Sequence, residues 1–371
     1  MLRKVMLVIL AGIMVFGLIG CGKDATNSNN PTASLGVSVF PTEDGNGSSA
    51  PTDSGAATVK PTTGAVSTTN PTKTPSATKT PTSTATPKPI VGGTIYQLVD
   101  ESQMMSYVIQ TQNNKLMILD GGYGRNKDDI IDLAKEITGQ AVPEIEAWFF
   151  SHTHSDHVNA FSELVNEGNG KLKIKKLYYS LLTRNYVVKN EEASLQTYDN
   201  FVKALGKFPD SSKVSVQQGD VITVDGLEMQ VMLIPDEKAT MLVGGVAVNE
   251  SSVIYRLTIG GQRVMFLGDA YQVAGSRLRK AWSHDITADV VQMAHHGSQG
   301  VQFALYKMIA PKACLWPTPE WLWNNDPGTG YDTGTWETIK LHTYMKKNCG
   351  VKHHFVAKDG VQKLVFPLDL S

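Results

Sequence analysis

Residues 151–160 read SHTHSDHVNA, which places His152, His154, Asp156 and His157 within six consecutive positions. The chain has nine histidines, so a third of them stand in this one stretch. Imidazole nitrogens and a carboxylate oxygen are the ligand atoms that suit zinc and related first-row divalent ions. In an extended chain residues 152 and 154 project to the same side, and 156 and 157 follow where the next element begins. So short a loop cannot easily wrap four ligands around one ion, whereas two neighbouring ions can share them. The competing reading, a polar helix start with incidental histidines, leaves this spacing unexplained.

The loop must be held by the elements on either side. EIEAWFF before it is an apolar run of strand length, and VNAFSELVNEG after it has the apolar spacing of an amphipathic helix. Other short apolar or alternating runs also read as strands: GTIYQLVD, SYVIQTQ, KLMILDGG, IKKLYYS, LEMQVMLIP, SVIYRLTIGG, RVMFLGD, DVVQMAHHG, ACLWPT and a closing HHFVAKDGVQKLVF. Helical spacing recurs in DDIIDLAKEITG, SLQTYDNFVKALGKF, QVAGSRLRKAW, VQFALYKMIA and TWETIKLHTYMKKNCG. Strands gather in groups before helices and do not alternate strictly with them. That predicts an α/β (α+β) fold of two packed sheets with helices outside, four layers in all.

The first ninety residues have a different character. MLRKVMLVILAGIMVFGLIGCG opens with Arg3 and Lys4, continues with an apolar stretch from Val5 to Ile19, and ends in LIGC. The stretch is too short to span a bilayer comfortably and has the build of a secretory signal peptide over residues 1–20. LIGC resembles the bacterial lipobox, which implies lipidation at Cys21 and a tether to the outer face of a bacterial cell membrane. Residues 21–90 are dominated by Pro, Thr, Ser, Gly and Ala, with Phe40 as their one aromatic residue. They cannot bury enough apolar area to offset the entropy of ordering, and so read as a disordered, semi-stiff linker. Residues 91–371 suffice for one large core.

Of 34 basic and 35 acidic residues, seven and four fall in the first ninety, leaving the domain a net charge near −4. That argues against generic electrostatic capture of nucleic acid. Lys171, Lys173 and Lys175 in KLKIKK read as a solvated strand edge. Cys314 reads as a small buried hydrophobe, and pairing of Cys314 with Cys349 is left open by the sequence. A monomer without an organic cofactor is expected.

HxHxDH after a strand resembles the metallo-β-lactamase superfamily. Asp120 in ILDGG, Asp269 in VMFLGDA, and His295 and His296 in DVVQMAHHGS follow the family's order. LGD alone would be ordinary turn chemistry; all four motifs in order are specific. The resemblance covers essentially the whole domain and implies the family's four-layer αββα sandwich. It implies His152 and His154 on a first metal, and Asp156, His157 and one of His295 and His296 on a second. Asp269 would lie between the two ions. Asp120 would orient a ligating histidine or the water, and Asp120 and Asp156 are the candidate catalytic carboxylates.

One feature departs from that pattern. Better-known members carry another histidine between HxHxDH and the bridging aspartate, but here none occurs between His157 and His284. VNESSVIYRLTIGGQRVMFLGD followed by HHGS resembles the branch that includes the extracellular domain of the competence protein ComEC. That implies Asn249 and Ser251 or Ser252 beside the first metal. Zinc is the expected ion, with manganese its rival because fewer nitrogens and more oxygens suit a harder cation.

Two such ions would bring the pKa of a bridging water towards about 7 and generate a hydroxide nucleophile without a separate base. The ComEC resemblance favours phosphodiester or other phosphoester substrates, in nucleic acid or in a wall polymer such as a phosphorylcholine-decorated teichoic acid. Trp316, Trp321, Trp323, Tyr331 and Trp336 stand in a Pro/Gly/Asp-rich stretch. They read equally as a platform for a base, sugar or quaternary ammonium, with Trp321 and Trp323 as candidate substrate residues, or as core beneath a long loop. Hydrolysis of a lactam, lactone or thioester is the second reading. A wall-tethered metal-binding module without catalysis is the third.

Overall fold

The computed structural model describes residues 90–168, 170–240 and 246–371. The expected signal peptide (1–20), Cys21 and all but the last residue of the expected linker (21–90) lie outside the described residues. Among the described residues the strands are β1 (Gly93–Gln97), β2 (Ser106–Thr111), β3 (Leu116–Asp120), β4 (Glu144–Phe149), β5 (Lys173–Ile174), β6 (Leu177–Tyr179), β7 (Lys213–Ser215), β8 (Val221–Val224), β9 (Leu227–Leu233), β10 (Ile254–Ile259), β11 (Gln262–Phe266), β12 (Val290–Gln292), β13 (Ala313–Trp316), β14 (His353–Val356) and β15 (Gln362–Phe366). They form two sheets, one in the order β15-β1-β2-β3-β4-β6-β7 with β5 also pairing with β4, the other in the order β14-β13-β12-β11-β10-β9-β8. The helices are α1 (Lys127–Thr138), α2 (Ser155–Glu167), α3 (Arg184–Asn190), α4 (Leu195–Leu205), α5 (Glu237–Thr240), α6 (Gln272–Ala281), α7 (Phe303–Ile309), α8 (Glu320–Trp323) and α9 (Thr338–Lys347).

Three apolar layers explain why several strands read as unbroken hydrophobic runs. A strand covered on both faces buries every residue. In β3, Met117 and Leu119 face the second sheet, while Leu116 and Ile118 join the core beneath α1, α2 and α4. In β11, Val264 and Phe266 face the first sheet, while Met265 packs under α6 and α7. The central layer is sealed by aromatic pairs across the sheets. Tyr107 lies 5.0 Å from Phe266, and Phe149 lies 5.5 Å from Tyr255 between ring centroids. The result is the four-layer sandwich that the grouped strands predict.

Three sequence expectations need correction or completion. The closing run HHFVAKDGVQKLVF is two strands in different sheets: β14 runs parallel to β13, and β15 runs antiparallel to β1. The tight turn at Ala357–Asp359 carries the chain from one sheet to the other. KLKIKK contributes only the two-residue strand β5. Three of its four lysines pair with Asp128, Glu144 and Glu146, with Lys171–Asp128 at 3.0 Å, Lys173–Glu144 at 2.8 Å and Lys175–Glu146 at 2.9 Å, and Lys176 donates to the Ser211 carbonyl. Cys314 is buried and both thiols are free.

Candidate metal centre

The histidine loop leaves the C-terminal end of β4 and enters α2, whose N-cap is His154 in extended backbone. Asp120 ends β3, Asp269 follows β11, and His295 and His296 follow β12. Every one of these residues therefore sits at or just beyond the carboxyl end of a strand, where crevices in such sheets open. Backbone hydrogen bonds join the loops: Gly121 N–H donates to the His157 carbonyl at 2.7 Å, Val253 N–H to Ser151 at 2.8 Å, and His295 N–H to Gly268 at 3.0 Å. Two glycines allow the loops to approach. Gly268 has φ +58, and a Cβ there would lie 3.1 Å from that of Ser151. Gly297 has φ +76, and a Cβ there would lie 2.7 Å from the Trp316 ring.

Two groups of ligating residues share Asp269. His152, His154 and Asp269 form one; Asp156, His157, Asp269 and His296 form the other. Within each, the ligand atoms lie within 4.8 Å of one another. His152 Nε2 is 3.1 Å from His154 Nδ1 and 3.7 Å from Asp269 Oδ2. His157 Nε2 is 3.2 Å and His296 Nε2 3.3 Å from that same oxygen, and His296 Nε2 is 3.1 Å from Asp156 Oδ2.

Nε2 of His157, Nε2 of His296 and Oδ1 of Asp269 are buried and make no hydrogen bond. A buried polar atom without a partner costs about 1–3 kcal/mol. Several of them aimed at one small volume fit a cation that satisfies them together. The clusters thus fit a dinuclear metal site.

Electrostatics agree. Burial alone would depress His157, but the carboxylates of Asp269, Asp156 and Asp120 hold it well above the usual imidazole range. Burial opposes protonation of His296 too, yet Asp269 and Asp156 raise it to about 9. Burial would raise Asp156 and Asp269, but the neighbouring imidazoles of His157 and His296 hold both below the usual carboxylate range. Carboxylates that draw protons to these imidazoles would draw a divalent cation as well. His152, by contrast, is held low by burial and by its neighbour His157.

Asp120 is fully buried. Its carboxylate accepts from His157 Nδ1 at 2.8 Å, from the Ser151 hydroxyl at 2.6 Å and from the Ser151 N–H at 2.7 Å. The adjacent histidines diverge from left-handed backbone, with φ +48 and +54. His296 is buried in the four-residue group. His295 belongs to neither group: its Nδ1 lies 2.8 Å from the Ser298 hydroxyl and 3.0 Å from the Tyr271 hydroxyl. Burial pushes His295 down to about 4.

The expected Asn249–Ser252 neighbourhood divides as well. The Ser252 hydroxyl lies 3.4 Å from His152 Nδ1, the Ser251 hydroxyl donates to the Val248 carbonyl at 2.6 Å, and Asn249 is buried with Oδ1 unbonded.

The tryptophans do not form one platform. Trp316 is fully buried, and Trp323 packs edge-on against it at 5.2 Å. Trp321 stacks edge-on with Trp336 at 5.0 Å and borders an open cavity of about 960 Å³ with Asp100, Glu101 and Asp129. Two residues of the centre escaped the sequence reading. Glu191 accepts from His154 Nε2 at 2.6 Å. Gln292, on β12, donates to the Gly268 carbonyl at 3.0 Å and accepts from the Leu267 N–H at 2.7 Å, which fixes the turn before Asp269. Only a glutamate within reach of α2 in the fold, not in sequence, could have flagged the first.

A family model described as Metallo-beta-lactamase superfamily matches residues 99–313, more than half of the chain. No curated protein matches. Among solved structures, the metallo-beta-lactamase fold protein YhfI from Bacillus subtilis is similar at 12% identity and TM-score 0.42, over 73% of this chain and 100% of that one. CmlA, a diiron beta-hydroxylase from Streptomyces venezuelae, is similar at 11% identity and TM-score 0.47, over 75% of this chain and 55% of that one. A diphosphatase from the PhnP family is similar at 14% identity and TM-score 0.36, over 72% of this chain and 87% of that one.

Proposed function

The chain belongs to the metallo-beta-lactamase superfamily, and on that premise we propose that it is a dinuclear-metal-dependent phosphoester hydrolase held by an N-terminal lipid at the outer face of a bacterial membrane. The observation that carries the reading is Asp269, shared by two groups of convergent ligand atoms, of which His157 Nε2, His296 Nε2 and Asp269 Oδ1 are buried without a hydrogen bond. His152 and His154 would hold one ion, Asp156, His157 and His296 the other, with Asp269 common to both. Zinc leads and manganese is its rival, since oxygen supplies three of the seven ligand positions when Asp269 is counted once for each group. When bound, the ions supply Lewis acidity: they acidify water and neutralise charge that builds on a substrate oxygen.

The protein's own groups prepare that chemistry. Asp120, which as a carboxylate can only accept, keeps a His157 proton on Nδ1, so that Nε2 is the nitrogen that would give up its proton and ligate. The Ser151 hydroxyl donates to Asp120, so its oxygen accepts from His152 Nδ1 at 3.0 Å and frees Nε2 of that ring as well. His295 stands on the less buried side of Asp269, its Nε2 3.9 Å from Oδ2, as a polar contact for an arriving substrate.

The acidic partners of Lys171, Lys173 and Lys175, on and beside β5, favour a small or wall-borne phosphoester over a long nucleic acid, which needs an unpaired basic track. Kinship with the ComEC branch rests on the sequence motifs alone. Purified full chain, stripped by chelator and reloaded with Zn²⁺ or Mn²⁺, is expected to turn over bis(p-nitrophenyl) phosphate or p-nitrophenyl phosphorylcholine, and His152→Ala to abolish this. Turnover of a chromogenic cephalosporin alone would replace the phosphoester reading with lactam hydrolysis. No turnover with full metal content would leave a binding module.

A further inference from the structure

The smaller group has three ligating residues against four, so its hold on an ion depends more on how its imidazoles are set. His154 Nε2 donates to Glu191 Oε1, which also accepts from the Ser194 hydroxyl at 2.8 Å. Glu191 Oε2 accepts the Val248 N–H at 2.9 Å. Because a carboxylate accepts only, the His154 proton stays on Nε2 and the Nδ1 lone pair turns towards His152.

Val248 begins a tight turn over Asn249–Ser251. At its far end the Ser252 hydroxyl accepts the Asp269 N–H at 3.0 Å and lies against His152 Nδ1. In its middle Glu250 accepts the N–H groups of Val273 and Ala274 at 2.8 and 2.7 Å, which ties the turn to the start of α6. An apolar cluster separate from the main layers, Tyr186, Val187 and Tyr198 with Ala247 and Val248, packs α3 and α4 against the turn. The turn thus reaches all three residues of the smaller group: His152 and Asp269 directly, His154 through Glu191. Of the larger group it touches only the shared Asp269, and His157 is held by Asp120 instead.

We propose that Glu191 and the 246–252 turn form a clasp that sets the metal affinity of the three-residue group separately from that of the four-residue group. Glu191 is its positioning residue. This rests on the dinuclear reading above. The test is a Zn²⁺ titration of the chelator-stripped full chain in competition with a fluorescent chelator, which resolves two equivalents without measuring activity.

Glu191→Gln keeps the side-chain shape but loses the doubly accepting carboxylate. It is expected to weaken one equivalent by about 10–100-fold while the other stays within about twofold, and Ser252→Ala to weaken the same equivalent. Unchanged denaturation midpoints of the stripped variants would accompany this. Weakening of both equivalents in step, or of neither, overturns the clasp. Should Glu191→Gln fail to fold, Ser252→Ala decides alone. Uptake of only one equivalent by the wild type would sink the dinuclear reading and the clasp with it. Two equivalents with indifferent variants would sink the clasp only.

Discussion

His157 and His296 hold protons that a divalent ion must expel. Both sit among carboxylates that raise their affinity for a proton, His296 to about 9, so at pH 7 both are charged. Asp156 and Asp269 are held low and His152 is held low, so none of these has a proton to give. Loading the four-residue group at pH 7 should therefore release about two protons per chain. The sign follows: a raised folded-state pKa means protons compete until pH passes through about 9. Apparent affinity then climbs with pH up to that point and falls in acid. Calorimetric titration in buffers of different ionisation enthalpy measures the release, and a value near zero would show that the imidazoles are neutral without an ion. At this scale the sequence was informative where ligands are neighbours. HxHxDH announced itself because four groups fall in six residues. HHGS could not say which histidine ligates, because that depends on how two left-handed residues splay their rings. Glu191 was invisible, since it lies 34 residues beyond His157, just past α3, and only the fold brings it to His154.

The elements that carry the ligands meet through turns that leave no room for a side chain. Gly297 has left-handed backbone, and an added methyl would press on the Trp316 ring. Gly297→Ala should cost about 2–4 kcal/mol from backbone strain and overpacking together. Chemical denaturation measures the loss, and a cost under about 0.5 kcal/mol would show that the turn can relax. At this scale the amphipathic helices and the doubly buried strands were readable, because burial on one face or on both imprints a period or a continuous apolar run. The closing run misled, since β14 and β15 have similar composition and only the turn between them reveals that the chain changes sheets. The four-residue helices α5 and α8 carry too few turns to show a period.

For the whole molecule, the proposed lipid on Cys21 would decide where the proposed reaction takes place. A single change, Cys21→Ala, should move the protein from the membrane fraction to the medium or periplasm without altering turnover by the purified chain. Retention of the variant in membranes would show that some other segment anchors it. Catalytic geometry depends on a different joint. His152, His154, Asp156 and His157 hang from the first sheet, while Asp269 and His296 hang from the second. The candidate ligands therefore straddle a seam, and a slip of one sheet along the other would stretch the centre even if no ligand changed. A displacement of 1 Å can cost about a hundredfold in rate. The shared apolar layer, with Tyr107 against Phe266 and Phe149 against Tyr255 across it, opposes that slip. Core residues that ligate nothing would thereby act as the calipers of the proposed centre.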